Sequence, residues 1–391
     1  MCTSLPNELW LIIFRFATIS PSTINLQSFS YTPFQGIPHN LRDEALGVKS
    51  NLSRVCKLWR QLLGEMMYED VVLLKSNAAM LRKLLQDELE AAGSNRNSVV
   101  RRICLPYSTV TTTRFTSQST DVLEFLRHSP NLKVLVRPNI TTDMHIVPSE
   151  YLVFDFPAEE CPPLPSLVRL DWWHHNEATR TGGINSLINV LQEAPNLQYL
   201  SLGGDIWLAS MRTSPVQLLH LTTLRLRRVN VLFIQQVCQW SLPSLKHFIV
   251  DTVHDLSVLG SFWARFGEQL HSVELGKSLR FYDNDILHVV LQGCPNLKEL
   301  NYYIMFTSKA SQPISHLALQ TIRLHNHPNA LFDATSFLEH LETHFTMYAQ
   351  EDFPNLRRIV LYGGWDIMHD ERYRQMSRKL HDKGCSIELF G

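Results

Sequence analysis

Apolar residues recur along the chain in two rhythms. The first is L-x-x-L-x-L, entered through Pro-Asn-Leu, Pro-Ser-Leu or a close variant. It is read at Ser129–Leu135, Leu164–Leu170, Ala194–Leu202, Leu218–Leu226, Leu242–Phe248, Cys294–Leu300 and Phe353–Leu361. Weaker copies begin at Val100, Leu270 and Leu319. Alternation of this kind marks a strand with one buried face. The second rhythm places apolar residues near i, i+3 and i+4. It predicts helices over Asp121–Arg127, Ile184–Gln192, Leu232–Trp240, Leu256–Phe266, Ile286–Leu291 and Phe332–Phe345. Pro130, Pro195, Pro243, Pro295 and Pro354 follow helices closely. Proline cannot continue a helix and pushes its predecessor toward extended geometry, so each one turns the chain into the next strand. Helix-then-strand, repeated, predicts an irregular leucine-rich-repeat-like α/β solenoid with one curved parallel sheet over residues 69–391. Leu221, Leu224, Leu226, Asn230 and Leu232 make the best single copy of the repeat pattern.

Residues 1–68 follow neither rhythm for long. Pro6 suits a helix start, where its missing N–H costs nothing. Leu9, Ile12, Ile13 and Phe16 then share one face. A second helix is predicted over Asn51–Leu63, with Leu52, Val55, Cys56, Trp59, Leu62 and Leu63 on one side. On that stripe Cys56 reads as a packing residue. Between the two, Ser20–His39 holds Pro21, Pro33, Gly36 and Pro38 and reads as a loop, expected to be nicked readily by proteases. A short helix is predicted from near Asn40, and Tyr68–Leu74 reads as the first strand of the array. The chain thus divides into a small all-helical domain, 1–68, with an inserted loop at 20–39, and the array, 69–391.

Leu5-Pro6-x-Glu8-Leu9-x-x-x-Ile13-Phe14 resembles the opening of an F-box, and Val55-Cys56-Lys57-x-Trp59-Arg60-x-Leu62 resembles its closing half. The repeat-like remainder is similar to the substrate-recruiting half of F-box proteins, especially the fungal group with irregular repeats. The resemblance implies that the helical domain binds a Skp-type adaptor and, through it, a cullin–RING ubiquitin ligase. Carried over by motif, the adaptor-binding residues are Leu5, Pro6, Glu8, Leu9, Ile13, Phe14, Val55, Cys56, Trp59 and Leu62. The inserted loop departs from the family's compact form.

In each L-x-x-L-x-L strand the leucines point inward and the alternate residues point to the other face. That face is expected to include Arg169, Asp171 and Trp173; Tyr199; Arg225 and Arg227; His247 and Asp251; Glu274; Asn301 and Tyr303; Arg323 and His325; Arg358 and Tyr362. Solenoids bind through such surfaces, and Tyr, Trp and Arg carry much of interface energy. The expected ligand is a protein substrate, of unknown identity. On this register, replacing Arg225 and Arg227 by Ala leaves the melting temperature nearly unchanged.

Composition narrows the function further. Of 391 residues 45% are hydrophobic, ordinary for a globular chain, and 36 Lys plus Arg balance 37 Asp plus Glu. The balance gives no global basic footprint for nucleic acid. No apolar run approaches the ~20 residues of a membrane span, and the first residues carry no basic leader. Seven cysteines, with no C-x-x-C pair, read as free thiols of a reducing compartment, cytoplasmic or nuclear. His340-x-x-x-His344 has helical spacing, but the H-E-x-x-H pattern is not met, so no metal is expected. Phosphate-binding glycine loops and a nucleophile elbow are absent from the sequence, so neither a cofactor nor catalysis is expected. The reading is a non-catalytic substrate receptor; its rival is a repeat scaffold that acts independently of ubiquitin ligation.

Overall fold

A computed structural model describes residues 5–18, 31–36, 45–74, 77–84, 99–107, 118–139, 161–174, 182–204, 216–253, 259–277, 285–327 and 333–390. It is an α/β chain. The strands are β1 Asp70–Val72, β2 Arg102–Cys104, β3 Val134–Arg137, β4 Arg169–His174, β5 Tyr199–Gly204 and β6 Thr223–Val229. They continue with β7 His247–Val253, β8 Ser272–Leu275, β9 Glu299–Tyr303, β10 Thr321–His325, β11 Arg358–Tyr362 and β12 Ser386–Phe390. They lie in chain order in one open parallel sheet. By contacts the chain forms two compact units: Met1–Ser30, Gly36–Leu200 and Ala209–His220 in the first, and Tyr31–Gln35, Ser201–Leu208 and Leu221–Gly391 in the second.

The proline punctuators act through backbone chemistry. Leu132, Leu167, Leu197, Leu245, Leu297 and Leu356 each donate a backbone N–H to the carbonyl three residues back, at 3.1–3.3 Å. Each turn therefore carries Pro at its second position, which proline's fixed φ favours. All six leucine side chains are buried. The asparagine of the turn links neighbouring repeats: Asn196 Nδ2 donates to the Pro165 carbonyl, Asn296 to Glu268 and Asn355 to Leu317, at 2.7–2.8 Å. In the weak copy at Leu270, Gln269 does the same to Leu242.

Asn230 does something else. Strand β6 slips register against β7 on both sides of Arg227, the two shifts cancelling, and Arg228, skipped in the pairing, sits at φ +50. Counted from Leu221, the asparagine position of L-x-x-L-x-L-x-x-N falls on Val229, and Asn230 stands one place beyond it. Its side chain instead caps the helix Val231–Val237, accepting Phe233 N–H at 2.9 Å. Leu232, expected in the core, is exposed.

In the second unit one sheet face carries Leu224, Phe248, Val273, Leu300 and Ile322 in register, and Val250, Leu275, Tyr302, Leu324 and Leu361 in the next row. All are buried. Helices cover this face: the Phe248 ring stacks on Phe262 of helix Leu259–Phe266 at 4.1 Å. Tyr302 hydroxyl meets His344 Nδ1 of helix Ala334–Ala349 at 2.9 Å. His344 Nε2 bonds the Thr307 carbonyl, so it carries the proton and Nδ1 accepts from Tyr302. Burial pushes His344 down to about 3, and the ring is a neutral core group with both nitrogens in hydrogen bonds.

The N-terminal helices are α1 Asn7–Ala17, α2 Leu46–Ser53 and α3 Lys57–Met66. The helix predicted over Asn51–Leu63 is thus two helices. Backbone bonds from Arg54 to Asn51 and from Val55 to Leu52 close the first. Cys56 then turns extended and caps the second, its Sγ accepting Trp59 N–H at 3.4 Å. Cys56 is exposed, so the expectation of a packing residue was wrong. The helix start predicted near Asn40 lies outside the described residues, as does most of the 20–39 loop. Among the described residues no helix is long and apolar enough to cross a membrane.

Candidate protein-binding site

Two surfaces collect the residues singled out by sequence. The first is on the N-terminal helices. Phe14, Leu63 and Met66 form a buried cluster, with Trp10, Leu11, Leu52, Trp59 and Leu62 packed against it. The Trp59 ring lies 4.8 Å from Trp10 and 5.0 Å from Phe14, centre to centre. Phe14 is buried and holds the helices together, which corrects its expected place on an adaptor surface, while Trp59 and Leu62 pack against it half-buried. The reason is helical: residues 10 and 14, one turn apart, meet α3. Leu5, Pro6, Glu8, Leu9, Ile13, Val55 and Cys56 are exposed. So are Ile12, at 48%, and Phe16, at 72%. α1 is thus apolar on both sides, and among the described residues its outer side is exposed.

The second surface is the polar face of the sheet. In the first unit the described residues of that face include charge pairs within the sheet. Arg102 Nη1 bonds both oxygens of Asp70, at 2.5 and 2.7 Å, on the neighbouring strand. Arg169 Nε donates to Asp171 at 2.7 Å, and its guanidinium lies 4.0 Å over the Tyr199 ring. Asp171 and Tyr199 are buried, and Trp173 is half-buried. Asp171 and Tyr199 are accordingly internal parts, not the open contact residues expected.

In the second unit the registered row is Arg225, Ile249, Glu274, Asn301 and Arg323, flanked by Tyr303, His325 and Tyr362. Arg225 grips Asp251 with two bonds, Nε to Oδ2 at 2.6 Å and Nη2 to Oδ1 at 2.9 Å. Gly276 permits this approach: a Cβ there would sit 2.6 Å from the Asp251 Cα. Arg323 is paired with Glu299 at 2.6 Å. Arg225 and Arg227 are both buried. Removing Arg225 strips Asp251 of two charge-assisted bonds, at about 1.5–3 kcal/mol for hydrogen bonds to a charged group. The expectation of an unchanged melting temperature is therefore overturned.

On this row sits a segment from the predicted loop, Tyr31–Gln35. Tyr31 hydroxyl and Phe34 N–H both donate to Glu274 Oε2, at 2.7 and 2.8 Å. Asn301 Nδ2 donates to Tyr31 hydroxyl at 2.6 Å, and Arg225 Nη1 to the Gln35 carbonyl at 2.6 Å. The Tyr31 ring stacks on His247 at 4.8 Å. Phe34 meets Tyr303, His325 and Tyr362 edge-on, at 5.2, 5.1 and 5.0 Å. Residues Thr32–Gln35 form a turn closed by Gln35 N–H to Thr32 carbonyl at 3.3 Å. Pro33 takes its second position and Phe34 its third, with φ +57. That third position normally calls for glycine. A left-handed Phe costs about 1–2 kcal/mol, which the three-ring slot must offset.

Burial pushes Glu274 up to about 6, against the pull of Arg225 and of the Phe34 and Tyr31 donors. Burial likewise holds His247 down to about 4, so it offers a neutral platform to Tyr31. The contacts show what such groups can hold. A carboxylate takes a hydroxyl and an amide, a guanidinium takes a carbonyl, and an aromatic slot takes a ring. Among the described residues no cluster of three His, Cys, Asp or Glu forms a metal cage. Glu274 was legible from strand alternation. Tyr31 and Phe34 were not, although Pro33 signalled a turn.

No protein-family model matches the chain, and no curated protein matches it in sequence. In structure it is similar to a structural-genomics protein from Bacteroides fragilis, with 11% identity and a TM-score of 0.39, over 85% of this chain and 76% of that one. A TM-score of that size does not establish a common fold.

Proposed function

We propose that this chain is the substrate-recognition subunit of a Skp–cullin–F-box type ubiquitin ligase. One observation carries the reading: the outer side of α1 exposes Leu9, Ile12, Ile13 and Phe16 together. Leu5 before it and Val55 between α2 and α3 are exposed as well. Contiguous apolar exposure on a small helical layer suits a partner's groove. Three of these residues, Leu5, Leu9 and Ile13, belong to the F-box-like opening, and Val55 to its closing half. The adaptor takes the outer side, while Phe14, Trp59 and Leu62 brace the helices from within. The polar face of the second unit holds a target protein. The chain then works by proximity, raising the effective concentration of a target lysine at a thioester formed elsewhere in the ligase.

The test is co-expression with a Skp-type adaptor of the same organism. Wild type is expected to capture the adaptor stoichiometrically. Leu9→Asp with Ile13→Asp is expected to lose capture with unchanged circular dichroism, since both side chains face outward. A well-folded wild-type chain that captures nothing would leave the adaptor-independent scaffold as the better account.

A further inference from the structure

We infer that the polar sheet face of the second unit is a binding site for a tight turn presented by another protein, with Tyr and an aromatic residue three positions apart around a proline, and that Tyr31–Gln35 occupies it in cis as an intramolecular competitor. The inference deepens the proposed function by naming the class of target segment, and it rests on reading this face as the target-binding one.

The contacts are those of peptide recognition rather than of sheet packing. Glu274 reads one side chain and one backbone amide of the same turn, Tyr31 hydroxyl and Phe34 N–H. Arg225 reads the turn's last carbonyl, at Gln35. Two sites for rings lie at a fixed separation, the His247 platform for Tyr31 and the slot of Tyr303, His325 and Tyr362 for Phe34. Backbone contacts supply affinity without sequence information, and side-chain sites supply choice.

The site's framework is also braced without the segment. Arg225 is held by Asp251, and Arg323 by Glu299, both partners lying on the sheet. Asn301 Nδ2 has a second acceptor in Ser272 Oγ, at 3.4 Å, and its Oδ1 faces Arg323 Nη1 at the same distance. A receptor face pre-organised by its own ion pairs keeps its shape when its occupant leaves. The occupant is the strained partner: Phe34 adopts a left-handed backbone that its own sequence does not favour. A segment bent to suit the site, rather than a site moulded on the segment, is what a competitor looks like. Tethering makes such a segment an effective blocker even when its intrinsic affinity is low, because its local concentration is of order millimolar.

The test uses the full-length chain and a fluorescein-labelled synthetic peptide of residues 29–37. Tyr31→Ala with Phe34→Ala empties the site. This variant is expected to stay cooperatively folded, melting within a few degrees of wild type, and to bind the peptide at least tenfold more tightly than wild type does. Adding Glu274→Gln to the emptied variant is expected to abolish that gain. Selection from a random peptide library on the emptied variant is expected to enrich Tyr-x-Pro-aromatic sequences.

Equal peptide affinity for wild type and emptied variant would overturn the inference. So would a peptide gain that survives Glu274→Gln, or a library that enriches no aromatic pair. Loss of cooperative folding on emptying would make the segment a structural strut and overturn it equally. Adaptor capture reads a different surface, the outer side of α1, so failure of that experiment and failure of this one are separately visible.

Discussion

The polar sheet face serves differently in the two units. In the first unit, among the described residues, charges on it pair with near neighbours: Asp70 with Arg102 across adjacent strands, Arg169 with Asp171 along one strand. In the second, Glu274 meets donors from Tyr31 and Phe34, which lie more than two hundred residues earlier in the chain. A charge whose partner stands on the same sheet is a structural part. A buried carboxylate whose donors arrive from a remote loop marks a place where a ligand can sit. The same alternating strand pattern thus carries short-range pairs in one unit and a long-range contact in the other among the described residues, and sequence alternation alone does not tell them apart.

Substitutions can break or sharpen this contrast. The largest effect is expected on the first unit's face. Arg169→Ala removes the guanidinium bonded to the buried Asp171, and breaking a buried pair costs about 3–5 kcal/mol in chemical denaturation. Gly276→Ala comes next, at about 1–3 kcal/mol, because overpacking must separate its new Cβ from Asp251. A loss at Gly276 as small as at an exposed position would show that the Asp251 approach is not rigid.

The pH dependence follows from Glu274. Its folded value is raised to about 6 by burial, above the ordinary 4.5 of the unfolded chain. Its contribution is therefore fully present below about pH 4.5 and is lost as the pH rises through 6, by about 1–2 kcal/mol at 1.36 kcal/mol per unit. Glu274→Gln should flatten that part of the stability profile. His344 has the opposite sign: lowered to about 3, its contribution is present above 6.5 and lost as the pH falls toward 3. The smallest effect is expected at the outer side of α1, where Phe16→Ser changes stability by less than about 0.5 kcal/mol. A large loss there would mean that α1's outer side is covered by the chain itself.

Much of the fold was legible because its signals are local. Pro-Asn-Leu turns are set by proline's φ and by one short backbone bond, so each strand entry could be read from a few residues. The face shared by Leu9, Ile12, Ile13 and Phe16 followed from helical spacing alone. Its exposure did not, since periodicity says which residues lie together and not what lies against them. The break at Cys56 was hidden because Leu52, Val55, Trp59 and Leu62 keep a helical rhythm across it. The slip at Arg227 was hidden because its two shifts cancel and leave the leucines in place. The seat of Tyr31–Gln35 was invisible for a different reason: a contact between a loop and strands so far along the chain leaves no period to detect.

The most direct test of the receptor account is calorimetric titration of the purified chain with a Skp-type adaptor at several temperatures. The account predicts saturable one-to-one binding with a negative heat-capacity change, the mark of buried apolar surface, and its loss in the Leu9→Asp, Ile13→Asp variant. Absence of binding by the folded wild-type chain, or binding that the variant retains, would contradict it.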